Sequence, residues 1–176
     1  MLEAIISSKT RIKLLLKFFL NPESSAYLRS LESEFGESTN AIRLELNRFE
    51  SAGMLNSHSE GNRKIFRANM KHPLFKDIRG IVLKHIGLDQ IVENIVNRLG
   101  NLEAAYITGD LARGVDVDVI DIILIGEPDQ GYLIELVEKA EKLIGRRIRY
   151  LIYSKEEAEK VSFEPQKHIL LWNAKS

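Results

Sequence analysis

The fold of this chain is decided by two stretches, Leu55-Asn-Ser-His-Ser-Glu-Gly-Asn-Arg-Lys-Ile-Phe-Arg-Ala68 and Ile107-Thr-Gly-Asp-Leu-Ala-Arg-Gly-Val-Asp-Val-Asp-Val-Ile-Asp-Ile-Ile-Leu-Ile-Gly126. In the first stretch, two segments suited to extended chain flank the pair Gly61-Asn62, which predicts a β-hairpin. In the second stretch, a turn and a run of carboxylates lead into a continuous apolar segment, which is typical of a buried strand.

Three amphipathic segments precede the hairpin. Apolar residues at helical spacing follow Ser8 until Asn21-Pro22 ends the pattern, and a shorter helix is predicted over residues 25–35. Ser38 is suited to cap a third helix, and Gly53 is suited to end it. The first part of the chain is therefore predicted to hold three helices followed by a two-stranded hairpin.

The second part of the chain alternates strands with helices. Strands are predicted over residues 103–108, 117–125, 147–153 and 169–172, and helices over residues 131–144 and 155–160. This alternation indicates a small α/β unit with a mixed sheet, so the chain as a whole is expected to be α+β. Residues 73–98 form a helical linker and possible dimer element, and the expected divisions are 1–72, 73–98 and 99–176.

Charge and composition narrow the function. The formal net charge is zero, but the residues up to Lys71 carry 11 Lys and Arg against 8 Glu and no Asp, so the first part is the better candidate for a polyanionic partner. There is no Cys, which excludes disulfides and thiolate metal sites. The four histidines are scattered singly and predict no metal site. No targeting or membrane-spanning segment is apparent, so we expect a soluble, cytoplasmic protein without a membrane partner.

The segment from Phe35 to Leu55 resembles the recognition helix of ArsR- or MarR-like regulators. Their pattern is Gly-x-Ser, a helix, and then Leu-x-x-Ala-Gly-Leu leading into the wing. Here Phe49 stands for the first Leu of that pattern, and Met54 stands for the Leu after Gly53. The resemblance spans residues 9–69 and implies a winged helix-turn-helix with three helices and a β-hairpin wing.

The resemblance implies that double-stranded DNA is the partner. Asn side chains can hydrogen-bond adenine, and Arg side chains can hydrogen-bond guanine or phosphate. The candidate DNA-binding residues on the third helix and the wing are Thr39, Asn40, Arg43, Asn47, Arg63 and Lys64. Two alternatives stay open: a solvated helix face, or a module that binds proteins. Glu37, Glu45 and Glu60 would repel phosphate if they faced the duplex.

Residues 99–154 are similar to minimal nucleotidyltransferases of the polymerase-beta superfamily. That family has Gly-Ser, then Ala-Arg-Gly, then Asp-x-Asp leading into an apolar strand, with a third carboxylate on a neighbouring strand. In that family the Gly-Ser turn holds nucleotide phosphates, and the carboxylates hold two divalent cations. This chain has Ala112-Arg113-Gly114 and the apolar strand that follows Asp121.

The chain departs from the pattern in three ways. Asp110 occupies the Ser position, Val119 falls where the first metal-binding Asp belongs, and the neighbouring strand carries Arg147 and Arg149 instead of a carboxylate. One carboxylate cannot hold two metal ions, so we expect no catalysis, no metal and no cofactor. The vestigial nucleotide site then consists of Gly109, Asp110, Arg113 and Asp121.

The whole chain resembles ArsR-like transcription regulators with a C-terminal nucleotidyltransferase-like domain. The resemblance implies a dimeric DNA-binding regulator whose second domain is a pseudoenzyme that senses an effector or dimerises. Two other functions remain open. Asp116-Val-Asp118 is itself Asp-x-Asp and could serve an active nucleotidyltransferase that the winged helix targets. Alternatively, Gly109 and Arg113 could bind a nucleotide or other small effector without metals.

Overall fold

A computed structural model describes residues 2–174, which fall into two compact units, one up to His85 and one from Ile86 onward. Each unit combines helices with its own sheet, so the expected α+β class is confirmed. Within the described residues, no helix is both long enough and apolar enough to cross a membrane.

The first unit surrounds a three-stranded sheet with helices. The helices are α1 (Lys9–Leu15), which continues as a π-helical segment (Leu16–Leu20), α2 (Leu28–Phe35), α3 (Thr39–Ser51) and α4 (Phe75–Ile86). The strands are β1 (Ser25–Tyr27), β2 (Leu55–Glu60) and β3 (Arg63–Ala68). The sheet order is β1-β3-β2, and both pairings are antiparallel.

Local signals in the sequence explain most of these boundaries. The side chain of Ser8 accepts a hydrogen bond from the amide of Arg11, and that of Ser38 accepts one from the amide of Ala41, so each satisfies an amide that the first helical turn leaves unpaired. Gly36 ends α2 in the left-handed region, at φ 62°. The largest fully buried side chains of this unit include Phe18 and Phe19 of the π-helical segment, Leu31 of α2, and Ile42 and Leu46 of α3.

One predicted helix begins later than expected. The first three residues of the segment 25–35 form β1 instead, with Ala26 opposite Phe66 of β3. The helix starts at Leu28 because the hydroxyl of Ser30 both accepts from the amide of Tyr27 and donates to its carbonyl oxygen. Strand pairing thus satisfies backbone groups that the sequence pattern had assigned to a helix.

The second unit is built on a four-stranded mixed sheet. Its strands are β4 (Leu102–Thr108), β5 (Val119–Gly126), β6 (Arg147–Tyr153) and β7 (Ile169–Asn173). Its helices are α5 (Leu88–Ile91), which continues as a π-helical segment (Val92–Val96), α6 (Gly109–Ala112), α7 (Gln130–Ile144) and α8 (Lys155–Ala158). The sheet order is β6-β5-β4-β7, with β5 and β6 parallel and the other two pairings antiparallel.

The two faces of β5 have different surroundings. Ile120, Ile122 and Leu124 are nearly inaccessible to solvent. On the other face, Ile123 and Ile125 form a small cluster that Tyr106, Tyr153 and Phe163 help to cover. Because side chains alternate along a strand, Val119 and Asp121 lie on the same face of β5 as Ile123 and Ile125, nearer the start of the strand. The polar motif residues therefore lie on one accessible corner of the sheet.

Candidate functional site

A basic groove in the first unit lies between α3 and the β2–β3 hairpin. Its polar lining consists of Arg29, Arg43, Asn47, Asn62, Arg63 and Lys64. Leu46 and Phe66 contribute apolar surface. None of its lining residues, taken from the described part of the chain, is an Asp or a Glu. The groove is therefore a concave surface with one sign of charge, which attracts anions.

The basic groove brings together four of the residues predicted to bind DNA, namely Arg43, Asn47, Arg63 and Lys64. Thr39 and Asn40 lie outside its lining, in the first turn of α3. The side-chain oxygen of Asn40 accepts a hydrogen bond of 3.3 Å from Nη1 of Arg43. Asn40 can therefore orient Arg43, although it does not line the groove.

Two further side chains of the groove escaped the sequence analysis. Arg29 contributes a cation, and the ring of Tyr27 lies 4.7 Å from the guanidinium carbon of Arg63. Tyr27 reaches the hairpin because β1 pairs with β3, whereas the sequence predicted a helix over residues 25–35. The basic and aromatic character of Arg29 and Tyr27 was the only sequence signal for their place in the groove. Stacking on Tyr27 limits the positions that the Arg63 guanidinium can adopt.

Glu50, near the end of α3, holds the hairpin. One oxygen of its carboxylate lies 2.7 Å from Nζ of Lys64, and the other accepts a hydrogen bond from the hydroxyl of Ser57. The hydrogen bonds from Lys64 and Ser57 lower the pKa of Glu50. Lys64 is therefore fixed at the groove, and part of its charge is compensated.

Two of the three glutamates that argued against DNA binding are engaged inside the first unit. Glu45 is 4% exposed, and its carboxylate accepts from Nε of Arg11 at 2.9 Å and from Nη1 of Arg48 at 3.1 Å. Burial raises the pKa of Glu45, but the hydrogen bonds and the positive charges of Arg11 and Arg48 outweigh burial and leave that pKa lowered. Glu37 pairs with Lys13 at 2.8 Å. Glu60 is exposed at the end of β2.

In the second unit, the turn after β4 brings Gly109 against Asp121. Gly109 has φ 70°, and a Cβ atom at this position would lie 2.6 Å from Oδ2 of Asp121. Thr108 lies opposite Asp121 in the antiparallel pair of β4 and β5. The glycine is therefore required by the left-handed backbone and by the close approach of a carboxylate.

Arg149 neutralises Asp121. The two residues are direct neighbours in the parallel pair of β5 and β6, and Nε and Nη2 of Arg149 donate to the two carboxylate oxygens of Asp121 at 2.7 and 2.9 Å. These hydrogen bonds and the charge of Asp121 raise the pKa of Arg149 above its ordinary value. Val119 has Arg147 as its neighbour in the same pairing. The sheet corner thus carries one carboxylate with both of its oxygens engaged.

Other carboxylates of the motif region also have arginine partners. Asp110 forms an ion pair with Arg113 within the turn that contains α6. Asp116 lies 2.7 Å from Nη1 of Arg146. Asp116 and Asp118 precede the first residue of β5, so both lie in the loop before the strand. Within residues 2–174, no cluster of three or more His, Cys, Asp or Glu side chains could hold a metal ion.

The chain matches no protein-family model and no curated protein. Among solved structures, it is similar to a proposed nucleotidyltransferase from Sulfolobus solfataricus, at 25% identity and a TM-score of 0.38, over 53% of this chain and 85% of the other. It is also similar to a complex of a tri-AMPylated HEPN toxin with an MNT antitoxin from Shewanella oneidensis, at 14% identity and a TM-score of 0.37, over 52% of this chain and 74% of the other. At these TM-scores, the likeness assigns neither a fold family nor a function.

Proposed function

We propose that this protein is a transcription regulator that binds double-stranded DNA through the basic groove. The first unit is then a winged helix, in which α3 enters the major groove and the β2–β3 hairpin is the wing. The element order α1-β1-α2-α3-β2-β3 and the sheet order β1-β3-β2 support this assignment. The observation that carries the proposal is the groove itself, where cations of the helix and the hairpin meet and no described lining residue is a carboxylate.

The chemistry of the groove fits a duplex. Arg43 and Asn47 are one helical turn apart on the exposed side of α3, where both can reach base edges. Arg63 lies at the start of β3, where its charge suits the phosphate backbone. The engagement of Glu45 with Arg11 removes one repulsive carboxylate from this surface. Base contacts and phosphate contacts are thereby available from one face of the unit.

The second unit is, in this proposal, a nucleotidyltransferase-like domain that does not catalyse. Two-metal phosphoryl transfer needs carboxylates that clamp both cations. Here Asp121 is held by Arg149, and Val119 supplies no oxygen. A metal ion would have to displace a bidentate arginine and would then find a single carboxylate. The domain instead serves as a dimerisation or effector-sensing unit, and the regulator acts as a homodimer.

The proposal is tested with the full-length protein by fluorescence anisotropy. The probes are a labelled duplex from upstream of its own gene and a random duplex of equal length, each at two salt concentrations. Sequence-specific binding predicts a lower Kd for the upstream duplex, and Arg43→Ala is expected to weaken that binding by about 1–3 kcal/mol. Arg98→Ala, an exposed arginine of the second unit, is the matched control. Equal, weak binding to both duplexes would refute the regulator.

A further inference from the structure

The strand β6 leaves one edge of the mixed sheet open. The amide of Arg147 donates to the carbonyl oxygen of Asp118 at 2.9 Å, which directs residue 147 toward β5. In a parallel pair, every second residue of a strand bonds to the neighbouring strand. The backbone groups of Ile148, Tyr150 and Ile152 therefore point away from the sheet.

Only part of this edge is covered by the chain itself. The amide of Ile148 donates to the carboxylate of Glu141 at 2.7 Å, which closes the beginning of the edge. Among the described residues, the outward backbone groups of Tyr150 and Ile152 have no hydrogen-bond partner. Between them lies Leu151, whose side chain is 58% exposed. An exposed edge with an apolar centre is a template for pairing with another strand.

We propose that β6 pairs antiparallel with β6 of a second copy of this chain, about a two-fold axis at Leu151. In this register, Tyr150 lies opposite Ile152 of the partner subunit, and the two outward-pointing residues of each strand form about four hydrogen bonds. Leu151 then meets Leu151 of the partner subunit. An isologous pairing of this kind closes at two copies, because it uses the β6 edge of both.

The side chains of β6 are complementary in this register. Arg149 lies opposite Tyr153 of the partner subunit, which places a cation beside an aromatic ring while Arg149 keeps its bond to Asp121. A shift that placed the axis at Arg149 would oppose two arginines and would need the amide of Ile148, which Glu141 occupies. Charge and free backbone groups therefore both favour the axis at Leu151 over one at Arg149, and the match of Arg149 with Tyr153 favours a second copy of the chain over an unrelated strand.

Cysteine cross-linking tests the register directly because the chain has no native Cys. In Leu151→Cys, the two Cα atoms across the axis would be about 4.5 Å apart, which suits a disulfide. Arg147→Cys is the matched control, since its side chain is 80% exposed on the same face of the same strand but would lie about 27 Å from its counterpart. On mild oxidation, Leu151→Cys should form dimers at least tenfold faster. Equal rates, or no dimer from Leu151→Cys, would overturn the proposal.

A second measurement addresses the wild-type interface. A strand edge buries less surface than a stable interface of about 1,200–2,000 Å², so we expect a weak dimer with a micromolar or weaker Kd, seen by sedimentation at increasing concentration. Tyr150→Pro removes an outward amide without touching the bonds to β5 and should raise the dimer Kd at least tenfold. If this variant does not fold, Leu151→Glu should raise the dimer Kd in the same way, because it opposes two carboxylates.

A monomer at all concentrations would refute the proposal and leave an extended peptide of another protein as the occupant. None of these measurements involves DNA, so a monomer would refute this interface and the proposed homodimer but would leave DNA binding through the basic groove to its own test.

Discussion

Glu45 provides a quantitative test of how helix α3 is held in the first unit. Its carboxylate is buried and accepts from Ser8, from two nitrogens of Arg11 and from Arg48. Hydrogen bonds to charged groups contribute about 1.5–3 kcal/mol each. Gln at this position keeps the shape and one acceptor oxygen, and the Arg11 side chain, at 35% exposed, can turn to water. After a reduction for this solvation of Arg11, Glu45→Gln should lower the free energy of unfolding by about 1–2 kcal/mol at pH 7.

The pH dependence has a definite sign. The pKa of Glu45 is lowered in the folded protein, so the ionised carboxylate stabilises the fold above its unfolded pKa of about 4.3. That contribution is lost as the pH falls through the folded pKa. The difference in free energy of unfolding between the wild type and Glu45→Gln should be largest near pH 7 and should shrink as the pH falls below about 4.

Urea denaturation followed by circular dichroism measures this difference at each pH. For a chain of this length, about 1–2 kcal/mol corresponds to roughly 3–6 °C in Tm. Glu32→Gln, an exposed glutamate of α2, is the matched control and should change stability by less than about 0.5 kcal/mol. An unchanged Glu45→Gln protein at pH 7, or a deficit independent of pH, would refute the reasoning.

Three further predictions concern the groove and the sheet corner. The double variant Val119→Asp/Arg149→Asp should bind Mn²⁺ in a calorimetric titration that shows no binding to the wild type, because it restores two carboxylates beside Asp121; saturable wild-type binding that is lost in Asp121→Asn would contradict this. Gly109→Ala should lower the free energy of unfolding by about 1–3 kcal/mol, since it combines a left-handed backbone with a contact against Asp121; an unchanged Tm would contradict it. The plot of log Kd for DNA against log salt concentration should have a slope of about +3, because Kd rises as salt competes for the phosphates, and Arg63→Ala should lower that slope by about one; a flat plot would exclude electrostatic binding.

In the first unit, local sequence signals were sufficient to predict the helices but not to predict strand β1. Ser8 and Ser38 accept hydrogen bonds from amides three residues further on, and Gly36 ends α2 in the left-handed region. These effects act within a few residues, so the sequence alone indicates the helix ends. β1 exists because Tyr27 pairs with Ile65, almost forty residues along the chain. A pairing of that range has no local pattern, so Tyr27 and Arg29 could not be assigned to the groove in advance.

The acidic residues show the same contrast. The sequence places Glu37 in the turn before the third helix and Glu45 on that helix, but helical spacing does not reveal which cations of α1 they contact. The structure pairs them with Lys13 and Arg11, and this changes the charge that a phosphate would encounter. Burial and partners of a charge are tertiary properties, whereas its position on a helix face is a local one.

The motif region of the second unit depends on strand register rather than on composition. Residues 110–121 hold four aspartates, a density that favours a metal site when carboxylates alone are counted. Register sets Asp121 beside Arg149, and the turn sets Asp110 beside Arg113. A shift of β6 by one residue would turn Arg149 to the other face and leave Asp121 open to a cation. Glu141 opposes that shift because it fixes the amide of Ile148. The ion pair between Asp121 and Arg149 therefore depends on the position of β6, which Glu141 of α7 helps to hold.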